Sequence, residues 1–284
     1  MLGGGMLDKF DLDAYFRRIG YGGPARPDLE TLSAIHARHV AAIPFENLDP
    51  LTGRPVVLDI AAVQAKLIQR RRGGYCFEQN TLLKAALETI GFRVTGLGGR
   101  VVWMSAPGAP LGPRGHMLLM VDFPDGQFLA DVGFGAHLLD APLRFAIDLE
   151  QSTPSATYQI KREGDLFALA VRQNDAWRRA YAFNLEPQLA ADYSVASWFY
   201  STHPEILFKH LLTMERLTGD ARFNLLNTQL TERWRDGRVV ERALSSADEL
   251  AEVLDKVFDI EPPVTANDLF AKVSGSAVGG APQP

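Results

Sequence analysis

The apolar spacing of this chain changes period once, near Gly91, and that change limits the folds open to it. Upstream, apolar residues recur at helical intervals. Leu12, Tyr15, Phe16 and Ile19 share one face, and Gly20 follows as a stop. Pro27-Asp28 opens a second helix with Leu29, Leu32 and Ile35 on one side. Asp59 caps a third, striped by Ile60, Val63, Leu67 and Ile68. Its last turn is Arg70-Arg71-Arg72, cations suited to the negative end of a helix dipole, and Gly73 ends it. A fourth helix begins near Cys76, turns Leu83, Ala86, Leu87 and Ile90 inward, and closes at Gly91.

Downstream the pattern becomes short runs divided by turn residues: FRVTGLGGRVVWM, HMLLMVDF, QFLADVGF, ATYQIKRE, DLFALAVRQ and WRRAYAFN. Pro124-Asp125-Gly126 and Glu163-Gly164-Asp165 are the clearest turns, and Ser105 to Gly115 is a Gly/Pro-rich loop. Strands that follow one another without intervening helices predict an antiparallel sheet or small barrel. From about Asp192 helices return, with SVASWFYSTHPEILFKHLLTMER read as helical. A strand-like segment and an amphipathic helix from Ser246 to Phe258 come next. The last eleven residues, SGSAVGGAPQP, read as a flexible tail.

Composition narrows the function. A net charge of −5 gives no basic excess for a nucleic-acid or anionic-membrane surface, while a local basic pocket stays allowed. The start MLGGGMLDKF has no apolar leader core, and no long apolar run follows, so the expected setting is soluble and cytoplasmic. A single cysteine, Cys76, makes no intramolecular disulfide.

That cysteine stands in RRRGGYCFEQN, after two glycines and in the first turn of a helix. Free amides and the positive dipole end there favour a thiolate. A lone cysteine is more often a buried hydrophobe; the turn and the helix start bring packing and catalysis level. A thiol nucleophile needs a base, and the base an orienting group. His116 opens the strand HMLLMVDF directly after the Gly/Pro loop, and Asp131 interrupts the apolar FLADVGFG, where a carboxylate requires a partner. Asp131 holding a nearby amide is the plainer alternative. His36 and His39, at i and i+3 on a helix, are read as surface or capping residues, since no second pair of ligands accompanies them. If Asp125-Gly126 is a two-residue hairpin turn, Asp131 lies opposite Met120, about 13 Å along the strand from His116. A different turn, a bulge or strong stagger is then needed to join them.

Five blocks in order, IPFENLD, RRGGYCFEQN, the H-M-L-L strand, ADVGFG and WFYSTHPEILF, resemble the arylamine N-acetyltransferases. The resemblance implies an α+β fold: a helical bundle over 1–91 carrying the cysteine, an antiparallel β-barrel over 92–200 carrying His and Asp, and an α/β lid over 201–284. It also implies a papain-like Cys-His-Asp triad at Cys76, His116 and Asp131. The expected reaction is ping-pong, with acetyl-coenzyme A as donor, an aromatic amine or hydrazine as acceptor, and no metal. For the coenzyme the resemblance points to Gly112, Gly115, Gly133, Gly135 and Thr202. Phe45, Phe134 and Phe199 are candidates for the flat acceptor pocket, and the Phe77 amide for the oxyanion. The arginines with Glu46 and Glu78 are expected to brace the cysteine turn. A papain- or transglutaminase-like hydrolase using the same triad is the alternative.

Overall fold

Three aspartates set the helices of the first segment. Asp11, Asp28 and Asp59 each accept the amide three residues on, from Ala14 at 2.9 Å, Thr31 at 2.8 Å and Ala62 at 2.9 Å. Helices Leu12–Ile19 and Leu29–Ala42 follow the first two. After Asp59 comes a short helix, Ile60–Gln64, that widens into a π-helical turn, Ala65–Gln69. The cysteine helix is Cys76–Ile90, ended by Gly91 at φ 108°, where a side chain would be strained. The computed structural model describes residues 10–103, 105–106, 108–173 and 175–275.

Beyond Gly91, eight antiparallel strands among the described residues form one sheet. In hydrogen-bonded order they are Leu143–Arg144, Gly126–Ala130, His116–Phe123, Arg93–Val101, Ala176–Pro187, Leu166–Gln173, Thr157–Glu163 and Gln151–Ser152. The two edge strands are joined by one side chain. Gln151 Oε1 accepts from Arg144 N at 2.7 Å, and its Nε2 donates to Arg144 O at 2.9 Å, which curls the sheet into a near-closed barrel. The strand His116–Phe123 is covered on both faces. Met117, Leu119 and Val121 pack with the helices, while Leu118 and Met120 pack into the barrel. Its uninterrupted apolar run, in place of alternation, follows from that double burial.

The third layer is a sheet of Thr213–Leu217, Ala221–Leu226, Gln229–Trp234 and Val239–Ala243, backed by helices Ala247–Glu252 and Ala266–Ser274. Its outer strand comes from the first segment: Phe45–Glu46 pairs antiparallel with it, Phe45 opposite Glu215. The architecture is therefore the α+β arrangement of helical bundle, β-barrel and lid expected from the sequence.

Three sequence expectations change. The run SVASWFYSTHPEILFKHLLTMER is not helical throughout. Helix Ala190–Thr202 ends before His203-Pro204, because proline disfavours helix at the residue preceding it, and Thr213–Leu217 is a strand. His36 and His39 are fully buried, not on the surface. Ser274 closes the last helix rather than opening a tail, and residues 276–284 lie outside the described residues.

Candidate active site

The two glycines before the cysteine are there for space. Neither has a positive φ. A Cβ on Gly73 would meet Pro44 O at 2.1 Å, and one on Gly74 would meet Glu78 Oε2 at 2.7 Å. The backbone before Cys76 is thus pressed against the strand Phe45–Glu46. Charge locks it there. Arg72 donates to Glu46 Oε1 from Nε at 2.9 Å and from Nη2 at 2.6 Å. Glu78 is braced by a lysine and not, as expected, by an arginine: Lys66 Nζ lies 2.7 Å from Glu78 Oε1 and 2.6 Å from Asp49 Oδ2. Glu78 Oε2 in turn accepts from the Tyr75 amide at 3.2 Å, fixing the residue before the cysteine. Arg71 pairs with Asp259 near the end of the lid.

Cys76, His116 and Asp131 converge where helix, strand and hairpin end meet. His116 Nε2 donates to Asp131 Oδ2 at 2.6 Å, and both side chains are buried. The turn explains how. Phe123 pairs with Gly126, so the turn residues are Pro124-Asp125 and not Asp125-Gly126. Continuing that register places Asp131 opposite Leu118, one diagonal from His116, within reach of two side chains. Burial opposes charge on His116. The Asp131 carboxylate, its hydrogen bond and the neighbouring Cys76 outweigh that, and its pKa is raised to about 10. Asp131 is likewise disfavoured by burial, yet His116 and the donors around it hold its pKa low.

Asn80, four residues after Cys76 and so on the same face of the helix, ties the three elements together. Its Nδ2 donates to Met117 O at 2.8 Å and to Asp131 Oδ1 at 2.9 Å, while its Oδ1 accepts from Val132 N at 3.1 Å. Gly133 N adds a second donor to Asp131 Oδ1 at 2.9 Å. In the sequence, the i+4 spacing of Asn80 from the cysteine is the signal that points to it.

The two buried histidines serve this frame as neutral bases. His36 Nε2 accepts from the Asp131 amide at 3.2 Å, and burial lowers its pKa to about 4. His39 accepts from Tyr15 OH at Nδ1, 2.8 Å, and donates from Nε2 to Gln79 Oε1 at 2.7 Å. Gln79 passes this on to Pro44 O at 2.7 Å and Gly74 O at 3.2 Å, steadying the cysteine turn. Burial takes the His39 pKa to about 3.

Both histidines bind protons more readily once unfolded, where the ordinary pKa is about 6.5. Their stabilisation is therefore complete above that value and lost as pH falls toward 4 and then 3. At pH 4.5 the expected loss is about 2–3 kcal/mol for each histidine relative to pH 7.5. Urea midpoints across that range check it; a flat profile contradicts it. His116 acts with the opposite sign, its contribution fading as pH climbs from about 6.5 toward 10.

The remaining candidates divide. Phe134 sets its ring edge against His116 at 5.4 Å and against Tyr181 at 5.2 Å. Phe45 packs onto Gly135, where a Cβ would lie 2.3 Å from its ring. Gly133 is equally crowded, its Cβ position 2.6 Å from Cys76 Cα, and Gly115 is covered by Tyr200. Each of these glycines thus has a packing reason of its own. Gly112 has open space above it. Thr202 bonds back to Trp198 O within its helix, and the half-exposed Phe199 ring lies tilted beside His203 at 4.7 Å. Among the described residues, no three His, Cys, Asp or Glu side chains converge as metal ligands, and no helix is long and apolar enough to cross a membrane.

A buried cysteine facing a charged histidine held by a carboxylate suits acyl transfer through sulfur. The profile of the N-acetyltransferase family matches residues 28–266. The arylamine N-acetyltransferase of Mycolicibacterium smegmatis is 43% identical over 268 residues, 93% of this chain and 97% of its own. That of Escherichia coli (strain K12) is 39% identical over 251 residues, 88% of each chain. The Mycobacterium marinum arylamine N-acetyltransferase, solved in complex with CoA, superposes with a TM-score of 0.88 at 38% identity, covering 93% of this chain and 99% of that one. Identity of that extent, carried by a shared fold, places the chain in the arylamine N-acetyltransferase family.

Proposed function

We propose that this enzyme moves an acetyl group from acetyl-coenzyme A to an aromatic amine or hydrazine in two half-reactions, through acetyl-Cys76. The observation that supports this most directly is the His116 Nε2–Asp131 Oδ2 bond of 2.6 Å, which leaves Nδ1 as the nitrogen free to serve the sulfur. His116 takes the thiol proton at Nδ1, and its charge, favoured by Asp131, sits beside the sulfur. Sγ attacks the thioester carbonyl, forming the C–S bond to Cys76. As the tetrahedral centre collapses, the bond to the coenzyme sulfur breaks and His116 returns the proton to that leaving thiol. In the second half the amine nitrogen attacks acetyl-Cys76, His116 accepts the N–H proton, and Cys76 leaves. The exchange between two thiols is nearly balanced in energy, so positioning and oxyanion stabilisation carry the rate.

The Phe77 amide is the oxyanion donor in this scheme. The Glu78 and Gln79 amides bond to the Tyr75 carbonyl at 3.0 Å each, whereas Phe77 N–H, one position earlier, has no acceptor among the described residues. Phe134, beside His116, and Phe45, against Gly135, form the flat walls for the acceptor ring in this scheme.

The test uses the full chain in two steps. Brief exposure to acetyl-coenzyme A alone should add one acetyl group, located on Cys76 by peptide mass. Adding an aromatic hydrazine should then release the acylated hydrazine and regenerate free enzyme. Coenzyme release that does not depend on the acceptor, with acetate as product, would indicate the papain- or transglutaminase-like hydrolase instead.

A further inference from the structure

Gly115, the residue before the base, bears on the chemistry through what lies on it. Its carbonyl oxygen stands 3.7 Å from Cys76 Sγ, so it borders the nucleophile directly. Its backbone lies outside the left-handed region, and any residue could adopt it. Only space forbids a side chain. A Cβ there would fall 2.0 Å from Tyr200 Cζ, 2.1 Å from its hydroxyl oxygen and 2.4 Å from Cε2. The phenol end of Tyr200 therefore lies flush on the Cα of Gly115.

Tyr200 is aimed there by its helix, Ala190–Thr202. Tyr193, Ser197 and Tyr200 follow one another at spacings of four and three residues, hence on one face. That face is pinned over the start of the cysteine helix. The Tyr193 ring meets Phe77 at 6.1 Å, and Tyr193 OH donates to Leu97 O at 3.2 Å. Tyr75 OH donates to Ser197 O at 3.2 Å. The opposite face, with Val195 and Trp198, is exposed. The helix thus holds Tyr200 in one place, with its ring filling the notch that a missing side chain opens beside the sulfur.

We infer that Tyr200, seated on Gly115, is the wall that limits the length of the acyl group Cys76 can carry, and so makes the enzyme selective for short acyl thioesters. An acyl group bonded to Sγ extends away from the sulfur by one carbon at a time. A rigid aromatic wall beside Gly115 meets the chain after the first carbons, whereas a removed ring leaves room for more. Because Tyr200 acts by bulk, the ring matters and the hydroxyl does not. The inference rests on the acetyl-cysteine route proposed above.

The experiment compares kcat/KM for acetyl-, propionyl- and butyryl-coenzyme A, with one aromatic hydrazine as acceptor, in the wild type, Tyr200→Ala, Tyr200→Leu and Tyr200→Phe. Tyr200→Ala should raise the butyryl-to-acetyl ratio about tenfold or more, the scale on which a pocket resolves one or two methylenes. Tyr200→Phe should keep the wild-type ratio. Tyr200→Leu preserves more of the packing against the cysteine helix and should shift the ratio in the same direction as Tyr200→Ala. A ratio within twofold of wild type in whichever of the Ala and Leu variants is active overturns the inference. So does loss of activity toward all three donors in both, and so does a shift in Tyr200→Phe equal to that of Tyr200→Ala. Wild-type activity with acetyl-coenzyme A is read in the same assay. Its absence would reject the transferase mechanism itself, and its presence with an unmoved ratio would reject only the wall.

Discussion

Asp131→Asn should lower kcat by about three to four orders of magnitude while the protein stays folded. The hydrogen bonds around the carboxylate say why. Oδ1 receives two donors, Asn80 Nδ2 and Gly133 N, and Oδ2 receives the third from His116 Nε2. An asparagine keeps its single oxygen where two donors demand it and so turns its NH2 toward His116. Nε2 must then become an acceptor, the imidazole proton moves to Nδ1, and the nitrogen facing the sulfur loses the capacity to take a proton. The cation also loses the carboxylate that favours it. Near wild-type turnover in a folded Asp131→Asn protein would remove Asp131 from the mechanism; a thermal unfolding scan establishes that it is folded.

The pairing of His116 with Asp131 shows where sequence reasoning stops. Both residues could be picked out, one from its place at a strand start after a loop, the other as a carboxylate in an apolar run. Their distance could not, because it depends on which two residues of Pro124-Asp125-Gly126 form the turn. Moving the turn back by one position carries Asp131 from opposite Met120 to opposite Leu118, and so into reach. Turn choice is decided by the twist and packing of the whole hairpin rather than by the three residues alone.

Cys76→Ser should abolish acetyl transfer, with kcat down by at least about four orders of magnitude. A serine hydroxyl occupies the same site but does not give up its proton to His116 at neutral pH, so the attacking anion is missing. The fold should hardly notice. Cys76 is 5% exposed, and its contact to Gly115 O is a weak one that an alcohol can also make. Intact mass after exposure to acetyl-coenzyme A should show no adduct, and the melting temperature should stay within a few degrees of wild type. Turnover at the wild-type rate would move the acyl-carrying role elsewhere.

Local signals carried most of the fold. Capping aspartates and closing glycines marked the first helices, and the loss of helical period at Gly91 marked the barrel. What stayed hidden depended on distant partners. His36 and His39 have the spacing of an ordinary helix surface, and only the tertiary packing buries them against Asp131 and Gln79. Thr213–Leu217 reads as helix by composition and becomes a strand because Phe45–Glu46 and Ala221–Leu226 pair with it. Phe199 and Tyr200 are adjacent aromatics, and which of them faces Gly115 turns on about 100° of helix rotation.

The strand Phe45–Glu46 has a further consequence, for the time at which activity appears. Asn47 Oδ1 accepts from the amide of Thr213, 166 residues later, and the Gly73-Gly74 turn before the cysteine leans on this strand. Contacts that close so large a loop form late, after local helices and hairpins. As the chain leaves the ribosome, Cys76 is made early, but the backbone that aims it gains its last support only when the lid sheet has emerged. A chain ending before Thr213 keeps the Arg72–Glu46 and Lys66–Glu78 pairs that brace the cysteine turn but lacks the strand that pairs with Phe45–Glu46, so the proposed site gains its full support only once the lid sheet is made.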